Sequence, residues 1–167
     1  MNYHLYHGSM HSFKKIDLNK SKPYKDFGKG FYLAENKNDA TAMAIKNSPV
    51  GFVYHYTIDI DAFKTLNVMD FGNGYTEEWL DFVIKCRSSF ESPHEYDIVI
   101  GATADGKAKE VFKKHSDISI ISNYKHLILN EVSKRIFDIQ YLFNTQKAID
   151  MLCLIDVEEY GREPKSA

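Results

Sequence analysis

The sequence is organised around a glycine-rich loop that leads into an aromatic strand, Asp26-Phe27-Gly28-Lys29-Gly30-Phe31-Tyr32-Leu33-Ala34. Gly28 and Gly30 carry no side chain, so a flat ring can enter between the loop and Tyr32. A tyrosine can stack on such a ring and still hydrogen-bond through its hydroxyl. The same pattern is typical of a hairpin glycine beside a core tyrosine, so this stretch alone leaves both interpretations open.

A second stretch lies upstream, at Leu5-Tyr6-His7-Gly8-Ser9. It predicts a strand that Gly8 ends. The imidazole can donate a hydrogen bond to a sugar hydroxyl, and the glycine lets a ligand approach the backbone, although an ordinary turn is the alternative. A metal site at His4, His7 and His11 is not expected, because a strand puts His4 and His7 on opposite faces.

Further strands and helices follow from the spacing of apolar residues. The predicted strands are Tyr3–His7, Gly30–Leu33, Phe52–Ile58, Lys64–Val68, Asp97–Ile100 and Phe137–Phe143. The predicted helices are Asn38–Lys46, Glu77–Arg87, Lys107–Lys114, Tyr124–Lys134 and Thr145–Ile155. Strands and helices do not alternate regularly, which predicts an α+β fold: a split antiparallel sheet with surrounding helices and a cleft between its halves.

Length and composition fit one domain. The chain has 167 residues, and we expect a domain over residues 1–157 followed by a flexible tail over 158–167. No signal segment or membrane-crossing run is recognisable, which predicts a cytoplasmic protein without a membrane partner. The two cysteines, Cys86 and Cys153, lie far apart, which argues against a disulfide scaffold or a zinc site.

Charge is distributed unevenly along the chain. The formal net charge of -2 argues against a nucleic-acid binder as a whole. The first thirty residues nevertheless carry six lysines, Lys14, Lys15, Lys20, Lys22, Lys25 and Lys29. This local basic surface suits a pyrophosphate or a nucleic-acid backbone, and a solvated face is the alternative.

Together and in this order, the two stretches resemble motifs of the ADP-ribosyltransferase superfamily, above all its diphtheria-toxin and poly(ADP-ribose) polymerase branch. That branch has a His-Gly-Ser after its first strand and a Phe-Gly-Lys-Gly-x-Tyr run before a helix, matched here by 7–9 and 27–32. The chain is most similar to a small bacterial group of stand-alone, toxin-like proteins. That group shares the runs at 78–83 and 96–101 as well, so the resemblance extends from about Tyr3 to about Ile155.

The resemblance implies NAD as co-substrate and no metal. The residues expected to bind NAD are His7, Gly8, Ser9, Gly28, Lys29, Gly30, Tyr32 and Met43. His7 would hold a ribose hydroxyl, and the Gly8 backbone would hold the carboxamide. Tyr32 would stack on the nicotinamide, and Lys29 would meet the pyrophosphate.

The third motif of the superfamily is an acidic residue on a late strand, which the run Phe137–Phe143 matches in place and pattern. The catalytic position is then Gln140, where the polymerases have glutamate. A neutral amide keeps the hydrogen bond to the ribose but loses most of the electrostatic stabilisation of the positive charge that develops at the anomeric carbon. Losing one such stabilising group raises the activation barrier by on the order of 2.7–4 kcal/mol. Asp138 shares a strand face with Gln140. It would orient an acceptor or supply the missing charge, and a solvated residue at the strand entry is the alternative.

Two more departures concern the nicotinamide end of the site. The resemblance puts Ala40 where the polymerases often have a serine, and Met43 where they have a second stacking tyrosine. We therefore expect weak NAD affinity.

The resemblance implies a mono-ADP-ribosyltransferase that releases nicotinamide and transfers ADP-ribose to a protein or nucleic-acid acceptor. A role as the toxin of a toxin–antitoxin or phage-defence pair would require a neutralising protein partner. Three alternatives stay open: a weak or inactive NAD- or ADP-ribose-binding module, an NAD glycohydrolase, and an RNA 2′-phosphotransferase. The RNA 2′-phosphotransferase is disfavoured, because the phosphate site of such an enzyme requires arginines and the chain has only Arg87, Arg135 and Arg162.

Overall fold

A computed structural model describes residues 1–104, 125, 129 and 138–161 of the chain. Its strands and helices are, in order, β1 (Asn2–Ser9), β2 (Phe31–Ala34), α1 (Lys37–Ala44), β3 (Val50–Asp59), β4 (Val68–Asp70), α2 (Glu77–Arg87), β5 (Ile98–Ala102), β6 (Ile139–Phe143), α3 (Gln146–Ile149) and β7 (Cys153–Gly161). Short 3-10 helices lie at Leu18–Lys20 and Ala62–Thr65. The predicted α+β class is confirmed.

The strands form one mixed sheet in the order β4-β5-β6-β2-β1-β3-β7. The pair β4–β5 is parallel, and the remaining neighbours run antiparallel. Five of the six neighbouring pairs are therefore antiparallel, and β4–β5 departs from the antiparallel sheet that the sequence predicted. A parallel pair arises here because the connection between β4 and β5 contains α2 and can cross over the sheet.

The sheet is weakest at its centre, between β1 and β2. These strands pair only at Tyr6 and Ala34, whereas β1 pairs with β3 over its whole length from Asn2 to Ser9. Two halves, β4-β5-β6-β2 and β1-β3-β7, thus meet at one residue pair. Beyond that pair, β1 and β2 part.

Both longer helices pack on the same side of the sheet, which we call the helix face. Alternation along the strands places Tyr6 and Gly8 of β1, Tyr32 of β2, and Gln140 and Leu142 of β6 on this face. α2 buries Trp79, Leu80, Val83 and Ile84 against Phe27, Val99 and Leu142. α1 packs Ala40 and Ala44 against Val53.

A second core fills the opposite side of the sheet, which we call the back face. Its buried residues include Leu5, Leu33, Tyr54, Tyr56 and Phe143. Because the odd-numbered residues of β1 point to this side, His7 lies on the back face while Gly8 lies on the helix face. We call the gap in backbone pairing between β1 and β2 the cleft, and different residues border it on the two faces of the sheet.

Most predicted elements exist, with shifted ends. α1 begins after Asn36, whose side chain accepts a hydrogen bond from the Asn38 backbone, so the helix starts one residue before the predicted Asn38. The predicted strand Lys64–Val68 is wrong, since Ala62–Thr65 is a 3-10 helix and β4 starts at Val68. Lys107–Lys114 lies outside the described residues, as does Tyr124–Lys134 except for Lys125 and Leu129. Within the described part of the chain, the helices are too short or too polar to span a membrane.

The structure differs most from the predicted one in the C-terminal segment. The helix predicted over Thr145–Ile155 is only Gln146–Ile149, and Cys153 already begins β7. The apolar spacing of this segment fits a helix, but β3 offers a free strand edge with which residues 153–161 pair. Residues 158–161 therefore belong to the sheet rather than to a flexible tail, and 162–167 lie outside the described residues.

Candidate functional site

The two motifs meet where β1 and β2 part. The His7 Nδ1 atom lies 2.7 Å from the carbonyl oxygen of Tyr32, so a side chain links the strands where backbone pairing has stopped. The imidazole stacks on Phe31, with 4.2 Å between ring centroids, and has the Phe13 ring at its edge. His7 is thereby held rigidly at the rim of the cleft.

The contacts of His7 define its protonation. Because a carbonyl oxygen only accepts, Nδ1 carries the proton and donates to Tyr32. Burial lowers the pKa of His7, and the hydrogen bond to Tyr32 offsets this only in part, so the ring is neutral at pH 7. Nε2 has no hydrogen-bond partner among the described residues and is not fully enclosed. It is an acceptor open to a hydroxyl group, whereas the sequence suggested a donor.

The Tyr32 hydroxyl is hydrogen-bonded to the glycine-rich loop that precedes β2. Its hydroxyl donates to the Gly28 carbonyl oxygen at 2.7 Å and accepts from the Phe27 backbone N–H at 3.0 Å. Burial raises the pKa of Tyr32 well above its ordinary value, and the nearby Asp26 charge adds to this effect. The hydroxyl is thus committed to the loop, which leaves the ring rather than the hydroxyl for contact with a ligand.

Packing requires a glycine at positions 8, 28 and 30. A Cβ atom on Gly8 would lie 1.8 Å from the Ala40 carbonyl oxygen of α1. Gly28 has φ +91°, and a Cβ there would lie 2.5 Å from the Ser92 hydroxyl. A Cβ on Gly30 would lie 2.3 Å from the Leu142 side chain. Protein atoms fill the space beside all three.

Three more predicted NAD-binding residues lie apart from the cleft or are already engaged. The Lys29 ammonium pairs with the exposed Glu91 at 2.7 Å and lies 4.0 Å from the centre of the Phe90 ring. The Ser9 hydroxyl donates to the His11 carbonyl oxygen at 2.6 Å. Met43 is 61% exposed on α1.

Gln140 lies on the helix face with Tyr32, and its nearest partner is Asp26. The Gln140 side-chain nitrogen donates to Asp26 Oδ2 at 2.9 Å. The same oxygen accepts from the Ala104 backbone N–H at 2.9 Å, while Oδ1 accepts from Arg87 Nε at 2.8 Å and from its Nη2. The Asp26 side chain is 12% exposed, so this is a largely buried carboxylate beside the predicted catalytic position.

Sequence reasoning missed Asp26 and Arg87 as members of the site. Asp26 stands directly before the glycine loop, and its charge beside a buried phenylalanine was the available signal. Arg87 carries no such signal, because it closes a helix at a position where a basic residue is favoured for other reasons.

Asp138 lies just before β6 and is exposed. Its carbonyl oxygen accepts from the Thr103 N–H at 2.9 Å. Asp39 in the first turn of α1 has a raised pKa, caused first by burial and then by the negative charge of Asp138. Asp138 therefore adds negative charge near the start of α1 and makes no direct contact with Gln140.

Asp97, whose role the sequence left open, is satisfied within the fold. Its carboxylate accepts from the Thr145 hydroxyl at 2.6 Å and from the Asn67 backbone N–H at 2.9 Å. It joins the start of α3 to the segment before β4 and does not belong to the cleft.

Histidine and carboxylate groups do not form a metal centre in the described ranges, since no three of them converge. His4 lies on the helix face, 2.8 Å from His55, and so points away from His7 as the strand alternation predicted.

The candidate site lies in the split sheet of an α+β fold, where the two strands that carry the motifs part beside a neutral histidine. Residues 3–154 match the model of a family that is described as protein of unknown function DUF3990. Because the match covers most of the chain, this protein belongs to that family. The chain has no significant match among curated proteins or among solved structures.

Proposed function

We propose that this protein is an NAD-dependent mono-ADP-ribosyltransferase. One observation carries the proposal: the two motifs that resemble the superfamily border one cleft, because β1 and β2 part immediately after Tyr6 and Ala34. Gly8, Tyr32 and Gln140 then share the helix face beside that cleft, and the His7 imidazole links the two motifs through the Tyr32 carbonyl. In this proposal, motifs far apart in sequence supply groups to a single site.

The available groups suit a ribose next to a flat amide. His7 Nε2 and the Gln140 side-chain oxygen are acceptors for hydroxyl groups, and the Tyr32 ring offers an apolar surface. In the proposed reaction the glycosidic C–N bond breaks, neutral nicotinamide leaves, and the acceptor nucleophile bonds to the anomeric carbon and releases its proton. The positive charge that develops at that carbon is stabilised by negative charge nearby, which the Asp26–Gln140 pair supplies in place of a glutamate.

The same pair favours a second candidate, an NAD- or ADP-ribose-binding module that turns NAD over slowly or not at all. Asp26 also pairs with Arg87, which offsets part of its charge. The charge stabilisation at the anomeric carbon is then weaker than that from an unpaired carboxylate, while the acceptors for ribose hydroxyls remain.

One label on NAD and the release of nicotinamide together separate the candidates. We would incubate the protein with cell extract and NAD labelled in the adenylate phosphate, and follow nicotinamide release in parallel. Label on a macromolecule supports transfer, free labelled ADP-ribose indicates a glycohydrolase, and NAD binding without nicotinamide release indicates the binding module. Neither binding nor release would overturn the proposal.

Alanine substitutions at two glutamines in different surroundings give a test variant and its control. Gln140→Ala removes the acceptor beside the cleft and is expected to lower nicotinamide release about 100-fold. Gln146→Ala changes an exposed glutamine on α3 and is expected to leave it unchanged. Equal activity of Gln140→Ala and the wild type would remove Gln140 from the mechanism.

We also propose that the transferase acts in the cytoplasm on a protein or nucleic-acid acceptor as the toxin of a toxin–antitoxin or phage-defence pair. Induced expression in a bacterial host is expected to arrest growth for the wild type and not for Gln140→Ala. Co-expression of a small protein encoded beside the gene should restore growth. Normal growth with the wild type at high expression would contradict the toxin assignment while leaving the transferase test intact.

A further inference from the structure

Asp26 is surrounded by hydrogen-bond donors. Its two carboxylate oxygens receive two N–H groups from Arg87, one from the Ala104 backbone and one from the Gln140 amide, the last two at 2.9 Å. A carboxylate accepts and does not donate. Whatever side chain stands at position 140 must therefore present a donor to Asp26.

We infer that Asp26 is a positioning residue that sets the orientation of the Gln140 amide, an inference that rests on the proposed function of the cleft. Because Asp26 holds the amide nitrogen, the amide oxygen must point the other way. That oxygen has no partner among the described residues and is not fully enclosed. Asp26 thereby presents a fixed acceptor beside Tyr32, on the same face of the sheet.

Asp26 also explains why position 140 is a glutamine. A glutamate there would put two carboxylates within hydrogen-bond distance in a site that is largely buried. Two carboxylates that share such a site cannot both ionise at low cost, so the pKa of one of them rises strongly. Glutamine at 140 therefore suits its neighbour, because its amide can donate to Asp26 where a glutamate would be repelled.

The inference changes what Gln140→Glu should do. Charge alone predicts that a glutamate raises the rate, whereas the contact with Asp26 predicts a misplaced side chain and a less stable protein. Changing both partners, Asp26→Asn with Gln140→Glu, restores a donor facing an acceptor with the polarity reversed. The double variant should therefore be less impaired than the two single changes added together.

The stability test does not need NAD. The melting temperature of Gln140→Glu is expected to fall by roughly 5 °C relative to wild type at pH 8, since two carboxylates that meet in a largely buried site repel each other. The shifted carboxyl group has a folded-state pKa above its unfolded value, so the penalty is present above that pKa and disappears as the pH falls below it. The difference from wild type should accordingly shrink at pH 5.

Gln146→Glu is the matched control. Gln146 also donates to an aspartate, Asp150 Oδ1 at 2.7 Å, but both residues are exposed. Water screens the two charges there, so the melting temperature should change by less than about 2 °C at either pH.

The activity test separates positioning from mere stability. In Asp26→Asn the amide at 140 loses its fixed orientation, so kcat for nicotinamide release is expected to fall about 10- to 100-fold, with a smaller change in KM for NAD. The double variant should recover at least tenfold in kcat over Gln140→Glu. Equal stability of Gln140→Glu and wild type at pH 8, or single-variant effects that simply add, would overturn the inference. If the wild type releases no nicotinamide while the stability pattern holds, the proposed function fails and the Asp26–Gln140 match stands.

Discussion

Gly8 shows how one residue serves packing at a site where a ligand role was expected. A Cβ at this position would lie 1.8 Å from the Ala40 carbonyl oxygen and 2.9 Å from the Ala44 backbone nitrogen. Both contacts are with backbone atoms of α1, which cannot turn aside as a flexible side chain would. We predict that Gly8→Ala lowers the free energy of unfolding by about 2–3 kcal/mol or more, measured by urea denaturation.

A second glycine supplies the control. Gly74 has open space where its Cβ would be and needs no positive φ. Gly74→Ala should change the stability by less than about 1 kcal/mol. If Gly8→Ala folds as stably as Gly74→Ala, then α1 does not lie against β1 as described, and the glycine is retained for another reason.

His7 makes stability depend on pH. Burial lowers the pKa of His7 below its ordinary value of 6.5, so the folded chain binds this proton less readily than the unfolded chain. Its neutral form therefore contributes stability that is present above pH 6.5 and is lost as the pH falls through the folded-state pKa. We predict that the stability of wild type falls between pH 7.5 and pH 5, measured by denaturant unfolding at each pH.

His7→Asn isolates this contribution. The asparagine amide can donate to the Tyr32 carbonyl in place of Nδ1 and does not titrate in this range. His55 and His94 also have lowered pKa values because of burial, so part of the pH dependence should remain in the variant. A pH profile identical to that of wild type would mean that His7 is not buried as described.

At the scale of elements, α3 depends on one hydroxyl. Thr145 caps the helix by accepting from the Ala148 N–H, and it donates to the buried Asp97. We predict that Thr145→Val, which keeps the shape and removes both bonds, costs about 2–3 kcal/mol in urea denaturation. Thr65→Val removes an exposed hydroxyl that donates only to a backbone carbonyl, and it should cost less than about 1 kcal/mol.

The pH dependence of the same variant tests the role of Asp97. Although burial raises the pKa of Asp97, the bonds from Thr145, Asn67 and Lys147 lower it below its ordinary value of 3.8. This carboxylate thus contributes stability above pH 3.8 that is lost as the pH falls through the folded-state pKa. The difference between wild type and Thr145→Val should shrink below about pH 4. A difference that stays constant would assign the whole effect to the helix cap.

Elements could be predicted where local pattern and tertiary pairing agree. Glu77–Arg87 was predicted from its apolar spacing with the observed ends, and its threonine cap, acidic first turn and basic last turn also act locally. The segment after Ile149 could not be predicted this way. Its apolar spacing suits a helix, and only the presence of β3 beside it makes residues 153–161 a strand.

For the whole molecule, the limit of sequence reasoning lies in contacts between distant residues. The resemblance brought His7, Tyr32 and Gln140 into one hypothesis, and the described fold links the first two through one hydrogen bond. The Asp26–Gln140 bond joins residues 114 positions apart. No spacing rule relates them, because their approach depends on β2 and β6 pairing in one register and on the loop folding back over the sheet.

The weak central joint of the sheet leads to the last prediction. A ligand that fills the cleft should bridge the halves β4-β5-β6-β2 and β1-β3-β7, which share only the pair Tyr6 and Ala34. At 100 times its dissociation constant, NAD should stabilise the folded state by about 2.7 kcal/mol and raise the melting temperature by about 5–10 °C.

Hydrogen–deuterium exchange locates this effect. Added protection is expected at residues 7–9 and 31–34 together, since both strands border the cleft, and not at the distant 3-10 helix Ala62–Thr65. The affinity itself should be weaker than about 1 µM, because Ala40 is buried against Gly8 and Met43 offers no aromatic ring. Nicotinamide and ADP-ribose tested separately identify which half of NAD supplies the bridge. Protection of one strand without the other would mean that the ligand does not span the cleft, and the halves of the sheet would then be coupled by the protein alone.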